Sequence, residues 1–296
     1  MTTEGQQDHW AAWLAERRHG GDPEQLRRHL EFLTPIRDQV IANAALTAGH
    51  RLLDVGCGDG LIAFGAAEVV GPTGRVIFSD VSSDLLDQCR ELATQRGLLD
   101  RCQFIQARAS DLAPIPDQAV DAVTLRAVLI YEPGKAAAFA EFYRVLRPGG
   151  RLSLFEPINS FAFPEPADRF FGYDVLPVAD IVAKLKAVYD AIQPPGCDPM
   201  LDFDERDLVT LAERAGFAEL HAQLAIDIRR PEPMPWDAML NSSGNPRIPT
   251  PAEAMRQAPT PDEAARLRAH LRPLVEQGHG QRRTADTYLW ALRLPG

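Results

Sequence analysis

The amino-acid sequence predicts an α/β fold built on a doubly wound, mostly parallel sheet. Three observations carry this expectation. From Arg51 onward, short apolar runs alternate with longer helical patterns, the rhythm of repeated strand–helix–strand units. The apolar runs are continuous rather than alternating, as expected of strands whose two faces are both covered by helices. The first run closes in an acid and a glycine-packed turn, Asp54-Val55-Gly56-Cys57-Gly58-Asp59-Gly60, and the second closes in another acid, Asp80. In open parallel sheets ligands lie beyond the carboxyl ends of the strands, so these acids and glycines mark the candidate site.

The elements follow in order. Residues 8–19 read as a short amphipathic helix with Trp10, Trp13 and Leu14 on one face, the two tryptophans either closing over a ligand or, the favoured reading, packing. Asp22 supplies an N-cap and Pro23 the first helical position of the next helix. That helix is expected to bury Leu26, Leu30 and Leu33, with Pro35 kinking or restarting it before Val40 and Ile41. Strands are expected near 51–55, 75–80, 102–106, 120–125 and 151–156, with Gly71-Pro72-Thr73-Gly74 and Pro148-Gly149-Gly150 as turns. After Glu156 the rhythm breaks. Residues 157–203 are rich in proline and aromatics and hold one helical stretch, Val178–Ile192. A helix over Asp204–Gly216 and a sixth strand over 217–229 resume the core. Residues 231–281 form a second proline-rich insertion with a helix near 262–276, and Thr284–Leu294 reads as the last strand. The expected organisation is an N-terminal helical cap (1–47), a nucleoside-binding core (48–156), a cap insertion (157–203), core again (204–230), a second cap insertion (231–281) and a final core strand (282–296).

The glycine turn selects its ligand. A pyrophosphate site reads G-x-G-x-x-G and offers main-chain N–H groups and a helix N-terminus to negative charge. Here Leu61 stands where the third glycine would fall, and Asp54 and Asp59 would repel a phosphate. A cationic nucleoside without phosphate suits the turn better. S-adenosylmethionine, with a sulfonium and an ammonium beside its adenosine, is such a ligand, and the helix N-terminus is then expected to face its carboxylate.

At this point the chain resembles the class I S-adenosylmethionine-dependent methyltransferases, whose first motif runs close to D-V-G-C-G-x-G. Four further segments are similar in order. Val76–Ser82 looks like the ribose-binding motif and Phe104–Leu112 like the adenine-edge motif. Val120–Arg126 followed by Val128–Tyr131 looks like the fourth strand and the loop beside the methyl group, and Leu146–Leu152 like the turn into the fifth strand. The resemblance covers roughly residues 48–157. It implies a Rossmann-like fold of seven strands, the last two forming a hairpin with an antiparallel edge, and cap insertions after strands five and six. It also implies that the cofactor S-adenosylmethionine is bound by Asp54, Gly56, Cys57, Gly58, Gly60, Asp80, Val81, Ala109, Ser110, Asp111 and Arg126, the last through its main-chain carbonyl. The family often has an acid where Arg108 stands. A guanidinium cannot accept a hydrogen bond from adenine, which leaves Ser110, Asp111 or the backbone around Ala109 to read the ring.

Methyl transfer from a sulfonium is an in-line displacement, driven largely by holding the reactants in line in a dry site. Tyr131 and Glu156 follow strands four and five and are the catalytic candidates. Tyr131 would orient a substrate oxygen or pack the sulfonium by cation–π attraction. Glu156 would act as a general base, bind an acceptor amine, or pair with an arginine of the cap. Tyr131 and Lys135 have the Y-x-x-x-K spacing of short-chain dehydrogenases, but Pro133-Gly134 between them breaks a shared helix face. His221, in a late strand, reads as packed or exposed rather than catalytic. Asp80→Ala is expected to weaken donor binding with little effect on folding.

Composition narrows the partners. A net charge of -10 over 296 residues argues against nucleic acid or an anionic membrane. No apolar run is long enough to span a bilayer, and the first residues lack the basic region and apolar core of a leader. Four cysteines without a C-x-x-C pair imply no disulfide frame, no metal site and no thiolate-dependent arsenite methylation. The expected protein is a cytoplasmic methyltransferase, monomer or homodimer, acting on a small apolar or aromatic molecule of secondary metabolism at O, N or C. The alternatives are a donor-binding protein of the same fold with another reaction, such as aminopropyl transfer or a rearrangement, and a non-catalytic binding module.

Overall fold

The computed structural model describes residues 8–18, 20, 22–194 and 196–295. The first seven residues, on which the expectation of no leader rests, lie outside the described residues. Two compact units are formed, one from Leu30–Ile158, Phe203–Ala225 and Asp286–Gly296, the other from Met1–His29, Asn159–Asp202 and Ile226–Ala285.

The sheet has seven strands: β1 (Arg51–Val55), β2 (Arg75–Asp80), β3 (Cys102–Gln106), β4 (Val120–Arg126), β5 (Leu146–Pro157), then β6 (Ala218–Arg229) and β7 (Arg282–Leu292). Their spatial order is β3-β2-β1-β4-β5-β7-β6. β1 pairs in parallel with β2 and with β4, β2 with β3 and β4 with β5, whereas β7 runs antiparallel to β5. This is the Rossmann-like, mostly parallel arrangement that the alternating pattern implies. The strand order reverses direction between β1 and β4, which opens a crevice at their carboxyl ends.

Between the strands lie α1 (Pro23–Asn43), which leads into β1, α2 (Leu61–Val70), α3 (Ser83–Gln95), α4 (Lys135–Val145) and α5 (Glu205–Ala215). One core cluster joins Leu33, Val40 and Ile41 of α1 to Leu52, Phe64 and Phe78. Phe78 stacks on Phe104 at 5.0 Å between ring centroids and meets Phe64 at 5.1 Å. Three expectations need correction. Pro35 does not restart the helix: α1 continues through it from Pro23 to Asn43, with Pro35 on the exposed side where a missing N–H costs least. Leu26 and Leu30 are exposed; the buried face is Leu33, Ile36, Val40 and Ile41. The fifth strand begins at Leu146, not 151. Val120 pairs with Leu146 and Ala122 with Arg151, so Arg147–Gly150 bulge opposite Asp121. Gly149 takes φ 81° there, a conformation that favours glycine.

The second unit has its own core, in which Phe170, Tyr173, Val182, Leu185, Trp236 and Leu271 pack together. Its helices begin at clear signals. Thr250 and Thr260 each form a capping box, with Glu253 and Glu263 respectively, ahead of a proline at the first turn. Trp13 is buried and its indole N–H donates to the Ser243 carbonyl at 2.8 Å, the packing role expected of it. Among the described residues no helix is long and apolar enough to cross a membrane.

Candidate active site

β1 delivers Asp54 to the end of the sheet, and three glycines turn the chain into α2. Gly56, Gly58 and Gly60 have φ of 60°, 55° and 80°, so each occupies the left-handed region. Gly56 also lacks room for a side chain: a Cβ there would lie 2.5 Å from Val128 Cγ2. Gly60 is similarly crowded, by the Phe64 ring at 2.6 Å.

Asp54 is 2% exposed. Its Oδ1 accepts from the Thr124 hydroxyl at 2.8 Å and its Oδ2 from the Ala63 amide at 3.2 Å. Burial raises its pKa to about 7, against the opposing pull of those two bonds and of the Arg126 charge. Asp59 accepts from the Leu61 amide at 3.2 Å. Two carboxylates therefore already cap the first turn of α2. This corrects the expectation that the helix N-terminus faces the donor's carboxylate, and it gives a geometric reason why no pyrophosphate fits there.

Asp80 ends β2 and organises the same turn. Its Oδ2 accepts from the Gly58 amide and its Oδ1 from the Ser82 amide, each at 2.9 Å. A carboxylate has about four lone-pair directions, more than these two amides fill. Val81 follows with its side chain 43% exposed, while its carbonyl is held by the Gln106 amide group at 2.9 Å. Cys57 lines the concavity bounded by Asp54, Gly56, Leu61, Ile62 and Arg126. Hydrogen bonding with Cys89 and burial push the Cys57 thiol well above its ordinary pKa, which disfavours the thiolate.

In the loop after β3, Ala109 is buried and Ser110 lies against Gly134, where a Cβ would come within 3.3 Å of the serine. Asp111 is exposed and accepts from the Ala113 amide at 3.2 Å, so part of its carboxylate is turned onto its own turn. The loop is anchored just beyond, where the Leu112 amide donates to Glu141 at 2.7 Å and Arg144 bridges Glu141 and Asp117. Sequence reading missed this anchor, and also Thr124, whose signal is a hydroxyl inside an otherwise apolar strand.

After β4, Ala127 has φ 54° and donates its amide to Phe155 O at 2.8 Å. The 3-10 turn Leu129–Tyr131 follows and presents Tyr131 half-buried. Glu156 is 0% exposed. Its Oε1 accepts from the Val128 and Leu129 amides at 2.9 and 3.0 Å, and its Oε2 from the Ile130 amide at 3.3 Å. Burial raises its pKa to about 7 in opposition to these bonds and to Arg126. Lys135 Nζ donates to the Glu132 carbonyl at 3.1 Å and sits 4.8 Å over the Phe203 ring. His221 stacks on Trp290 at 5.1 Å.

Comparison with known proteins agrees with this geometry. Residues 52–150 match the family model described as a methyltransferase domain. A ubiquinone/menaquinone biosynthesis C-methyltransferase UbiE of Saccharophagus degradans is 31% identical over 180 residues, which cover 60% of this chain and 70% of that protein. The enzyme of the same name from Francisella philomiragia is 36% identical over 120 residues, 40% of this chain. The chain spans about half the length of that relative, 48%. The solved structure of the [4+2]-cyclase SpnF aligns with a TM-score of 0.50 and 21% identity over 88% of this chain and 81% of that one, a likeness of fold. The chain belongs to the class I S-adenosylmethionine-dependent methyltransferases. Within that class it is similar to C-methyltransferases named for ubiquinone and menaquinone biosynthesis, and its cofactor is S-adenosylmethionine.

Proposed function

We propose that this protein methylates a ring carbon of a small, apolar aromatic acceptor of the hydroquinone type. The observation that carries the reading is the similarity, over 180 residues, to enzymes named as quinone-biosynthesis C-methyltransferases. It narrows the earlier choice among O, N and C acceptors, and it favours quinone-related rather than secondary metabolism. S-adenosylmethionine supplies a methyl group on a sulfonium, open to in-line displacement by a nucleophilic carbon.

The residues are assigned as follows under this proposal. Asp80 accepts from the ribose hydroxyls, with the main chain of Gly56–Gly60 lying along the ligand and Cys57 lining its seat. Asp54 supplies negative charge near the ammonium, which the Arg126 carbonyl contacts. Val81 covers one side of the adenine, and the main chain of Ala109 and Ser110 reads its edge, with Asp111 beside them. Tyr131 accepts a hydrogen bond from the acceptor's phenolic hydroxyl, which makes the ring carbon more nucleophilic; as the methyl group transfers, S-adenosylhomocysteine leaves and the ring proton passes to water without a dedicated protein base. Acceptor choice is assigned to segments 1–47, 157–203 and 231–281, which carry none of the donor motifs.

The test is incubation with methyl-labelled donor and a panel of reduced demethylquinols, beside phenols and amines of similar size. Label recovered on a ring carbon, located by mass spectrometry and NMR, supports the reading. Label on oxygen or nitrogen only would replace it by an O- or N-methyltransferase.

A further inference from the structure

We propose that Glu156 is a positioning residue of the donor site, fixing the main chain of Val128–Ile130 and through it the seat of Val128 on Gly56, and that it takes no proton from the acceptor. This rests on the methyltransferase reading of the site and assigns Glu156 a role other than general base.

The first argument is occupancy. Both carboxylate oxygens are engaged, Oε1 by two amides and Oε2 by a third, and the residue is fully buried. A general base needs an oxygen within reach of the proton it removes. Here Oε1 is filled by two amides, and Oε2, which accepts one, is enclosed with the rest of the residue, so neither oxygen is open to an acceptor's proton. The second argument is that the loop needs a clamp. Ala127 sits at φ 54°, a left-handed conformation that a Cβ disfavours, directly after the last residue of β4. Such backbone persists where surrounding bonds over-determine it. The Ala127 amide bond to Phe155 O and the three amides on the adjacent Glu156 supply that determination from two consecutive residues of β5.

The third argument links the clamp to the ligand. Val128, whose amide is held by Oε1, fills the space where Gly56 would carry a Cβ. Gly56 and Arg126 line the same concavity. The carboxylate thus sets the height of the loop against the glycine turn, although it does not itself line that concavity.

Glu156→Gln separates positioning from acid–base work, because affinity for the methyl-free product S-adenosylhomocysteine involves no proton transfer. Gln keeps the volume but turns an NH2 group toward at least one main-chain donor. Calorimetry is expected to show an affinity about tenfold weaker, the scale of one main-chain donor left unpaired. Amide resonances of residues 56 and 127–131 should shift while the rest of the spectrum holds. Unchanged affinity with unmoved amides overturns the proposal. Should Glu156→Gln fail to fold, Val128→Ala decides, since it empties the seat on Gly56 and leaves the carboxylate bonded: weakened affinity supports the proposal and wild-type affinity overturns it. Failure of the wild-type protein to bind S-adenosylhomocysteine would instead overturn the methyltransferase reading. The amide shifts of Glu156→Gln would then still decide whether the clamp exists.

Discussion

Replacing Asp80 by alanine removes a carboxylate that serves the protein before it serves any ligand. Its two oxygens hold the Gly58 and Ser82 amides, each at 2.9 Å, and the residue is 7% exposed. Deleting the acceptor orphans two main-chain donors. A buried unpaired donor costs about 1–3 kcal/mol, and Gly58 is partly open to water, so the loss of stability should be about 2–4 kcal/mol. Binding loses a second contribution. Two ribose hydroxyls bonded to an anion contribute about 1.5 kcal/mol or more each, so donor affinity should fall about a hundredfold. The earlier expectation of little effect on folding is therefore withdrawn. Urea unfolding measures the first quantity, and calorimetry with S-adenosylhomocysteine on the folded fraction measures the second. Asp80→Asn, which keeps one acceptor oxygen, should fall between wild type and Asp80→Ala on both. A folded Asp80→Ala protein that binds the nucleoside as tightly as wild type would refute the assignment of Asp80 to the ribose.

Further predictions follow from the same geometry. Gly56→Ala places a Cβ 2.5 Å from Val128 Cγ2 at a φ of 60°, so it should destabilise the protein by about 2 kcal/mol or more and weaken nucleoside binding; equal melting temperatures would contradict this. Thr124→Val removes the hydroxyl bonded to Asp54 and should cost about 1–2 kcal/mol in urea unfolding, whereas a neutral result would mean that this bond contributes nothing to the folded state. Glu156 has a folded pKa of about 7, above its ordinary 4.5, so its protonated form stabilises the fold at low pH and that contribution is lost as pH rises through 7. Wild type minus Glu156→Gln stability should accordingly fall by about 3 kcal/mol between pH 4.5 and 7.5. A difference that stays flat would place the folded pKa at the unfolded value.

Much of this was legible in the residues. β1 and β2 follow from largely apolar runs bounded by glycine, proline and charge, as expected of strands covered on both faces, whereas β3 is an edge strand that exposes Gln103 and Gln106. The glycine turn is legible for a similar reason, because left-handed backbone with no room for a Cβ leaves glycine the favoured residue at positions 56 and 60. What escaped reading depends on tertiary context. Leu26 and Leu30 look like core residues of an amphipathic helix, and only the assembled chain shows which stripe of α1 is covered. The bulge at Arg147–Gly150 depends on β4 pairing on both sides of Asp121. An acid at the end of β5 looks like a base in one dimension. In three dimensions Glu156 is consumed by the amides of a loop that precedes it by 26 to 28 positions, and no local pattern encodes that distance.

The central claim is that the acid-ringed glycine turn takes S-adenosylmethionine and not a pyrophosphate-bearing nucleotide. Isothermal titration of the protein with S-adenosylmethionine and, separately, with NAD tests it most directly. Asp54 and Asp59 already occupy amides of the first turn of α2, where a pyrophosphate would sit. The account predicts saturable one-to-one binding of S-adenosylmethionine, competed by S-adenosylhomocysteine, and no detectable heat with NAD. Saturable binding of NAD without binding of S-adenosylmethionine would contradict it.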